Sequence, residues 1–97
     1  MTESKKLKVT EISLRMKALA SWKRKGAVIH RCYEFKDFVQ AMKFVTAVAR
    51  AAESARHHPD IDIRWNRVTL ALSTHDVGGL SAKDFDLAVV FDRLAAR

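Results

Sequence analysis

Residues 61–72 read Ile61-Asp62-Ile63-Arg64-Trp65-Asn66-Arg67-Val68-Thr69-Leu70-Ala71-Leu72, and the fold class turns on this stretch. Ile61, Ile63 and Trp65 alternate with polar residues, and Val68, Leu70 and Leu72 alternate again after Asn66-Arg67. A period of two places each set on one face of a pleated strand, so the stretch predicts two strands or one long bent strand. Upstream the period changes. Phe38, Met42, Val45, Val48/Ala49 and Ala52 trace an apolar stripe at helical spacing over residues 38–55. Asp37 with Gln40 three residues on resembles an N-cap and its reciprocal partner. His57-His58-Pro59 ends the helix, because the residue before a proline is pushed out of the α region.

The remaining elements follow outward from these. Ile29, Tyr33 and Phe35 share one face at period two after a turn at Lys25-Gly26, with Arg31 interrupting it. That segment predicts an edge strand or two short strands. Ile12, Met16 and Leu19 mark a short amphipathic helix over residues 10–20. Downstream, Asp76-Val77-Gly78-Gly79 is a loop, and Ser81 with Asp84 opens a terminal helix whose stripe is Leu87/Ala88, Phe91 and Leu94/Ala95. The order contains no βαβ spacing that requires parallel strands. The expected architecture is α+β, an antiparallel sheet with helices on one face.

Composition bounds the function. The 97 residues form one domain with 48% hydrophobic and 30% charged residues, a balance typical of a globular chain. The net charge is +7, but residues 1–31 hold nine of the 18 Lys/Arg against only Glu3 and Glu11, which leaves the rest neutral. Residues 1–9 are expected to be a basic flexible tail, and residues 10–97 the folded domain. Nucleic-acid binding rests on that charge alone, with no aromatic platform or zinc-finger spacing beside it. Cys32, the single cysteine, excludes an internal disulfide framework and a cysteine-based zinc site, and is read as core filler. No stretch approaches the ~20 apolar residues of a membrane span and residues 1–11 hold no apolar signal-peptide core, so a cytoplasmic protein is expected. The Ala-rich stretch 47–55 and the last helix carry more apolar surface than one sheet face covers, which predicts association between subunits.

Histidines carry the candidate chemistry. His57 and His58 follow the long helix, and His75 follows the strand ending at Leu72. Glu53 stands four residues before His57, so a persisting last helical turn puts both on one face and lets the carboxylate orient the ring. Imidazole titrates nearest neutrality of all side chains, and converging rings make an acid–base site. The plainer alternatives are a surface loop for His57-His58 and a loop-capping polar cluster for Ser73-Thr74-His75-Asp76. His30, mid-strand in a basic neighbourhood, is read as structural or exposed. No metal site is expected, since no His-x-x-x-His pair lies within one helix. Gly78-Gly79 lacks the further glycine and Lys-Ser/Thr of a phosphate loop, and Trp65 and Phe35 are read as core.

The combination Glu53-x₃-His57-His58-Pro59-x₅-Trp65-x₉-His75-x₈-Asp84 resembles the signature of the pterin-4a-carbinolamine dehydratase family. Phe35-Lys36-Asp37-Phe38 and Ser73-Thr74-His75-Asp76-Val77-Gly78-Gly79-Leu80-Ser81 are similar to that family as well, so the resemblance runs from Leu14 to Leu94. It implies a four-stranded antiparallel sheet with three helices packed on one face, associating into homodimers or homotetramers. It implies dehydration of 4a-hydroxytetrahydrobiopterin to quinonoid dihydropterin, recycling the pterin of aromatic amino-acid hydroxylases such as phenylalanine hydroxylase, without metal or organic cofactor. By that resemblance His57 and His75 are general acids for the two faces of C4a, and His58 holds the pterin and assists as base. Glu53 and Asp84 fix the rings or the pterin amide. Arg56, His57, His58, Ser73, Thr74, His75 and Asp76 line the substrate. The resemblance also brings an alternative, since some members act as a dimerisation cofactor for a transcription factor through a helical surface.

Overall fold

Asp37 caps the long helix as its sequence predicts, its carboxylate accepting from the Gln40 amide at 2.9 Å. The helix, α2, then runs Phe38–Ala55. Around it a computed structural model, describing residues 5–96, places α1 (Val9–Lys17), β1 (Lys23–Lys25), β2 (Val28–Glu34), β3 (Asp60–Arg64), β4 (Arg67–Leu72) and α3 (Ala82–Ala95). The four strands form one sheet in the order β1-β2-β4-β3, every pairing antiparallel. The α+β expectation holds: three helices and a four-stranded antiparallel sheet.

Register decides which side is core. Ile29 pairs with Leu72, and Tyr33 with Val68, and all four are buried against the helices with Phe44, Val48, Phe85 and Phe91. Cys32 pairs with Thr69 on the other face and is exposed. It is therefore not core filler, because the period that buries Tyr33 turns its neighbour outward. Arg31 shares the core face, and its guanidinium lies 4.3 Å from the Tyr33 ring centroid. One oxygen of Asp92 on α3 accepts from Arg31 Nη1 (2.7 Å), Trp22 Nε1 (2.9 Å) and the Tyr33 hydroxyl (2.5 Å). Burial and the adjacent Asp92 charge push the Tyr33 hydroxyl pKa well above its usual range.

Several expectations shift. β1 is Lys23-Arg24-Lys25, wholly exposed, and owes its strand form to pairing with β2 across a turn at Gly26 (φ 58°) rather than to any apolar alternation. α1 ends at Lys17, and Leu19 and Trp22 are buried from the turns that follow. The buried row of α2 is Ala41, Phe44, Val48 and Ala52, whereas Phe38 is 48% exposed. Two apolar rows compete at the same period, and Phe44 wins by packing at a tilt against the Tyr33 and Phe35 rings, with centroids 4.7 and 4.9 Å away. Trp65 is not core. It is 65% exposed in the β3–β4 turn at φ 49°.

The N-terminal segment also differs from a free tail where it is described. α1 already begins at Val9, Leu7 packs against the core, and its amide donates to the Leu80 carbonyl at 2.8 Å. The rest of the expected tail, residues 1–4, lies outside the described residues.

Candidate active site

α2 ends in a turn that aims two histidines differently. Arg56 takes the left-handed conformation (φ 53°, ψ 40°), and the amides of Arg56 and His57 return to the carbonyls of Glu53 and Ala52. This is a Schellman stop, a position that glycine usually fills because an L side chain there costs about 1–2 kcal/mol. The reversal swings His57 off the Glu53 face of the helix toward α3. Glu53 therefore pairs with His58 rather than His57, its Oε2 lying 2.5 Å from His58 Nε2, with both side chains largely exposed.

His57 meets Asp84 instead, Nε2 to Oδ1 at 2.6 Å. Asp84 is fully buried in the first turn of α3, held there because the Ser81 amide donates to its Oδ2 (3.0 Å). Thr74 Oγ1 donates to the same oxygen at 2.8 Å and lies 2.7 Å from Ser81 Oγ. The proton directions follow from counting. Thr74 has given its only proton to Asp84, so Ser81 Oγ donates to Thr74. Asp84 acts as acceptor throughout, so His57 donates Nε2–H to it. The nitrogen left to exchange a proton is Nδ1 of His57. No described buried side-chain nitrogen or oxygen is left without a partner, so this polar knot is closed except at that atom.

His75 opens the 3-10 turn His75–Val77 and is exposed, as is Asp76. The loop around it is closed by two backbone bonds between Thr74 and Gly79, of 2.9 and 3.4 Å. The structure thus joins His57, Asp84 and Thr74 in one network and His58 with Glu53 in another. His75 and Asp76 sit on the loop whose first residue, Thr74, belongs to the Asp84 network. Ser73 is half-buried and Arg56 exposed, and no hydrogen bond among the described residues ties either side chain to the histidines.

Beside His57 a cleft of about 190 Å³ is lined by Ala55, Lys83, Asp86, Leu87 and Val90 as well as the ring itself. Sequence reasoning passed over Lys83 and Asp86. Their spacing from Val90, i, i+3 and i+7 on α3, was the available signal. It also read Ser81 only as a cap, although the capping spacing to Asp84 already placed it next to the carboxylate. Among the described residues no group of three or more His, Cys, Asp or Glu side chains is placed to hold a metal ion.

The family model described as pterin 4 alpha carbinolamine dehydratase matches residues 5–94. The chain belongs to this family. A relative from Acidobacterium capsulatum, named after pterin-4-alpha-carbinolamine dehydratase, is 57% identical over 83 residues, covering 86% of this chain and 90% of the relative. The crystal structure of a transcriptional coactivator/pterin dehydratase from Brucella melitensis superposes with a TM-score of 0.91 at 31% identity, covering 94% of this chain and 99% of that one. A pterin dehydratase-like protein described as a RuBisCO assembly factor in the alpha-carboxysome shares the fold, with a TM-score of 0.64 at 23% identity over 76% of this chain and 86% of that one. The fold, then, carries proteins described by more than one role.

Proposed function

We propose that the protein is a hydro-lyase that removes water from 4a-hydroxytetrahydrobiopterin, giving quinonoid dihydropterin. The observation that carries this reading is the buried Asp84–His57 pair, which leaves one imidazole nitrogen, Nδ1, free to exchange a proton on a ring that also lines a cleft. Dehydration of a carbinolamine needs an acid for the departing 4a-hydroxyl and a base for the N5 proton, and no oxidant or cofactor. His57, protonated, gives the Nδ1 proton to the hydroxyl as the C4a–O bond breaks, and water leaves. The nitrogen lone pair at N5 forms the new double bond to C4a, and the N5 proton passes to a base. His58, steadied by Glu53, holds the pterin and assists as that base, while His75 serves as acid for the epimer hydroxylated on the opposite face. Arg56, Ser73 and Asp76 line the substrate on the two loops, while Thr74, buried beneath them, holds Asp84.

Such an activity recycles the pterin of an aromatic amino-acid hydroxylase, with phenylalanine hydroxylase the natural coupling partner, in the cytoplasm. Association into a homodimer or homotetramer belongs to the same reading. The edge strand β3 leaves Ile61 and Ile63 more than a third exposed, and α2 leaves Phe38 and Val39 about half exposed. That second apolar row on α2 also favours one alternative, a partner-binding role such as a coactivator, which would not use the histidines. The test is the decay of enzymatically generated 4a-hydroxytetrahydropterin with and without the protein. Acceleration that His57→Ala abolishes supports the dehydratase, and an unaltered decay favours the binding role.

A further inference from the structure

The loop that carries His75 has an attachment that the acid–base chemistry does not explain. The chain ahead of α1 runs along it. Besides the bond from the Leu7 amide to the Leu80 carbonyl, Lys6 lies over Gly79. A Cβ placed on Gly79 would come within 2.9 Å of Lys6 Cε, 3.3 Å of Cγ and 3.4 Å of Cδ. The lysine stem therefore occupies the space that a side chain at 79 would take. Gly79 lies buried beneath it.

The attachment point matters because of its neighbours. Gly79 closes the loop through its two backbone bonds to Thr74. Ser81, one residue past Leu80, donates its amide to Asp84. The loop's other internal bonds are single-turn contacts, Val77 to Thr74 and Gly78 to His75, which hold such a segment only weakly. From the N-terminal contacts we infer that Lys6 and Leu7 are positioning residues for the dehydration site. They form a strap that keeps the Thr74–Ser81 loop closed. Through the loop the strap sets where His75 points, and through Thr74 and Ser81 it keeps Asp84 aimed at His57. The inference rests on the dehydratase reading for its kinetic consequence and on geometry alone for the strap itself.

The test uses the full chain with paired substitutions. Leu7→Pro removes the amide donor, while Leu7→Ala keeps the amide and loses only the packing. Relative to Leu7→Ala, Leu7→Pro is expected to lower kcat about three- to tenfold, the range that one backbone hydrogen bond carries. The loss is greater on the 4a-epimer that depends on His75. Amide exchange at Gly78, Gly79 and Ser81 quickens in the same variant. Lys6→Ala shows the same direction, and Lys6→Met, which keeps the aliphatic stem without the charge, restores wild-type kcat. The strap is overturned if Leu7→Pro matches Leu7→Ala in both kcat and loop exchange, or if Lys6→Met is as impaired as Lys6→Ala. His57→Ala, run alongside, separates the two claims. A full rate there removes the dehydratase reading, and loop exchange in Leu7→Pro still decides the strap.

Discussion

Replacing Asp84 with Asn changes one atom in a buried site and should reverse the role of His57. The Asp84 carboxylate accepts three hydrogen bonds, from His57 Nε2, Thr74 Oγ1 and the Ser81 amide. An asparagine in the same pose has one acceptor oxygen. Thr74 and the Ser81 amide claim it together, since both already share one carboxylate oxygen, Oδ2. The amide NH₂ then faces His57 and forces Nε2 to accept, which moves the ring proton of the neutral imidazole to Nδ1. The ring keeps its place but can no longer be held as a charged donor. A serine-protease triad suffers a similar tautomer reversal, and losses there reach about 10⁴-fold. Here, where a second imidazole shares the work, a fall of about 10²–10³-fold in kcat is expected, the range of one general acid–base group. Exchanging one charge-assisted bond for a neutral one costs about 1–2 kcal/mol of stability, or a fall in Tm of about 4–15 °C for a domain of this size. The assay is the pre-steady-state decay of 4a-hydroxytetrahydropterin at neutral pH, with ¹⁵N imidazole shifts reporting the tautomer. A kcat within threefold of wild type, in a variant whose Nε2 has lost its proton, would refute the argument.

Three further outcomes follow from the same geometry. His75→Ala is expected to slow dehydration of one 4a-epimer much more than the other, read by assaying each epimer separately; equal losses would count against the two-faced assignment. Tyr33→Phe removes one donor from Asp92, remote from the histidines, so stability falls by about 1 kcal/mol while kcat holds. Because the folded state raises the Tyr33 pKa, stability is fully present below about pH 10 and is lost as pH rises above it, where the unfolded chain releases that proton. Alkaline denaturation of Tyr33→Phe is therefore shallower than that of wild type, and identical slopes would contradict the assignment. Sedimentation at micromolar concentration is expected to show an assembly larger than a monomer, and Ile63→Lys on the exposed β3 edge should weaken it.

How much of this was legible depended on where the deciding signal lay. α2 was read to its bounds because both ends carry local chemistry, an Asp37 cap and a His-His-Pro stop. Its rotation was not legible. Phe38-Met42 and Ala41-Phe44 rows are equally periodic, and only the aromatic cluster on β2 selects between them. β1 offered no pattern, since three exposed basic residues become a strand solely by pairing. The motif brings Glu53, His57, His58, His75 and Asp84 together, with Thr74 in the segment beside it, but helical spacing pairs Glu53 with His57 where the structure pairs it with His58. The left-handed turn at Arg56 that turns His57 away from Glu53 has no glycine to announce it. Trp65 was misplaced for a similar reason, a positive φ at a residue whose type argues for burial. The hold of Lys6 and Leu7 on the His75 loop lies between positions more than 70 residues apart in the chain, beyond any local pattern.

The measurement that bears most directly on the dehydratase reading compares three decay traces of freshly generated 4a-hydroxytetrahydropterin: buffer alone, wild-type protein, and His57→Ala. The account predicts rapid decay with wild type and a rate about 10²-fold or more slower with His57→Ala, in a variant that stays folded at the assay temperature although the loss of Asp84's ring partner lowers its Tm by about 4–15 °C. Wild-type and buffer traces that superimpose, or a His57→Ala trace that follows wild type, would contradict it.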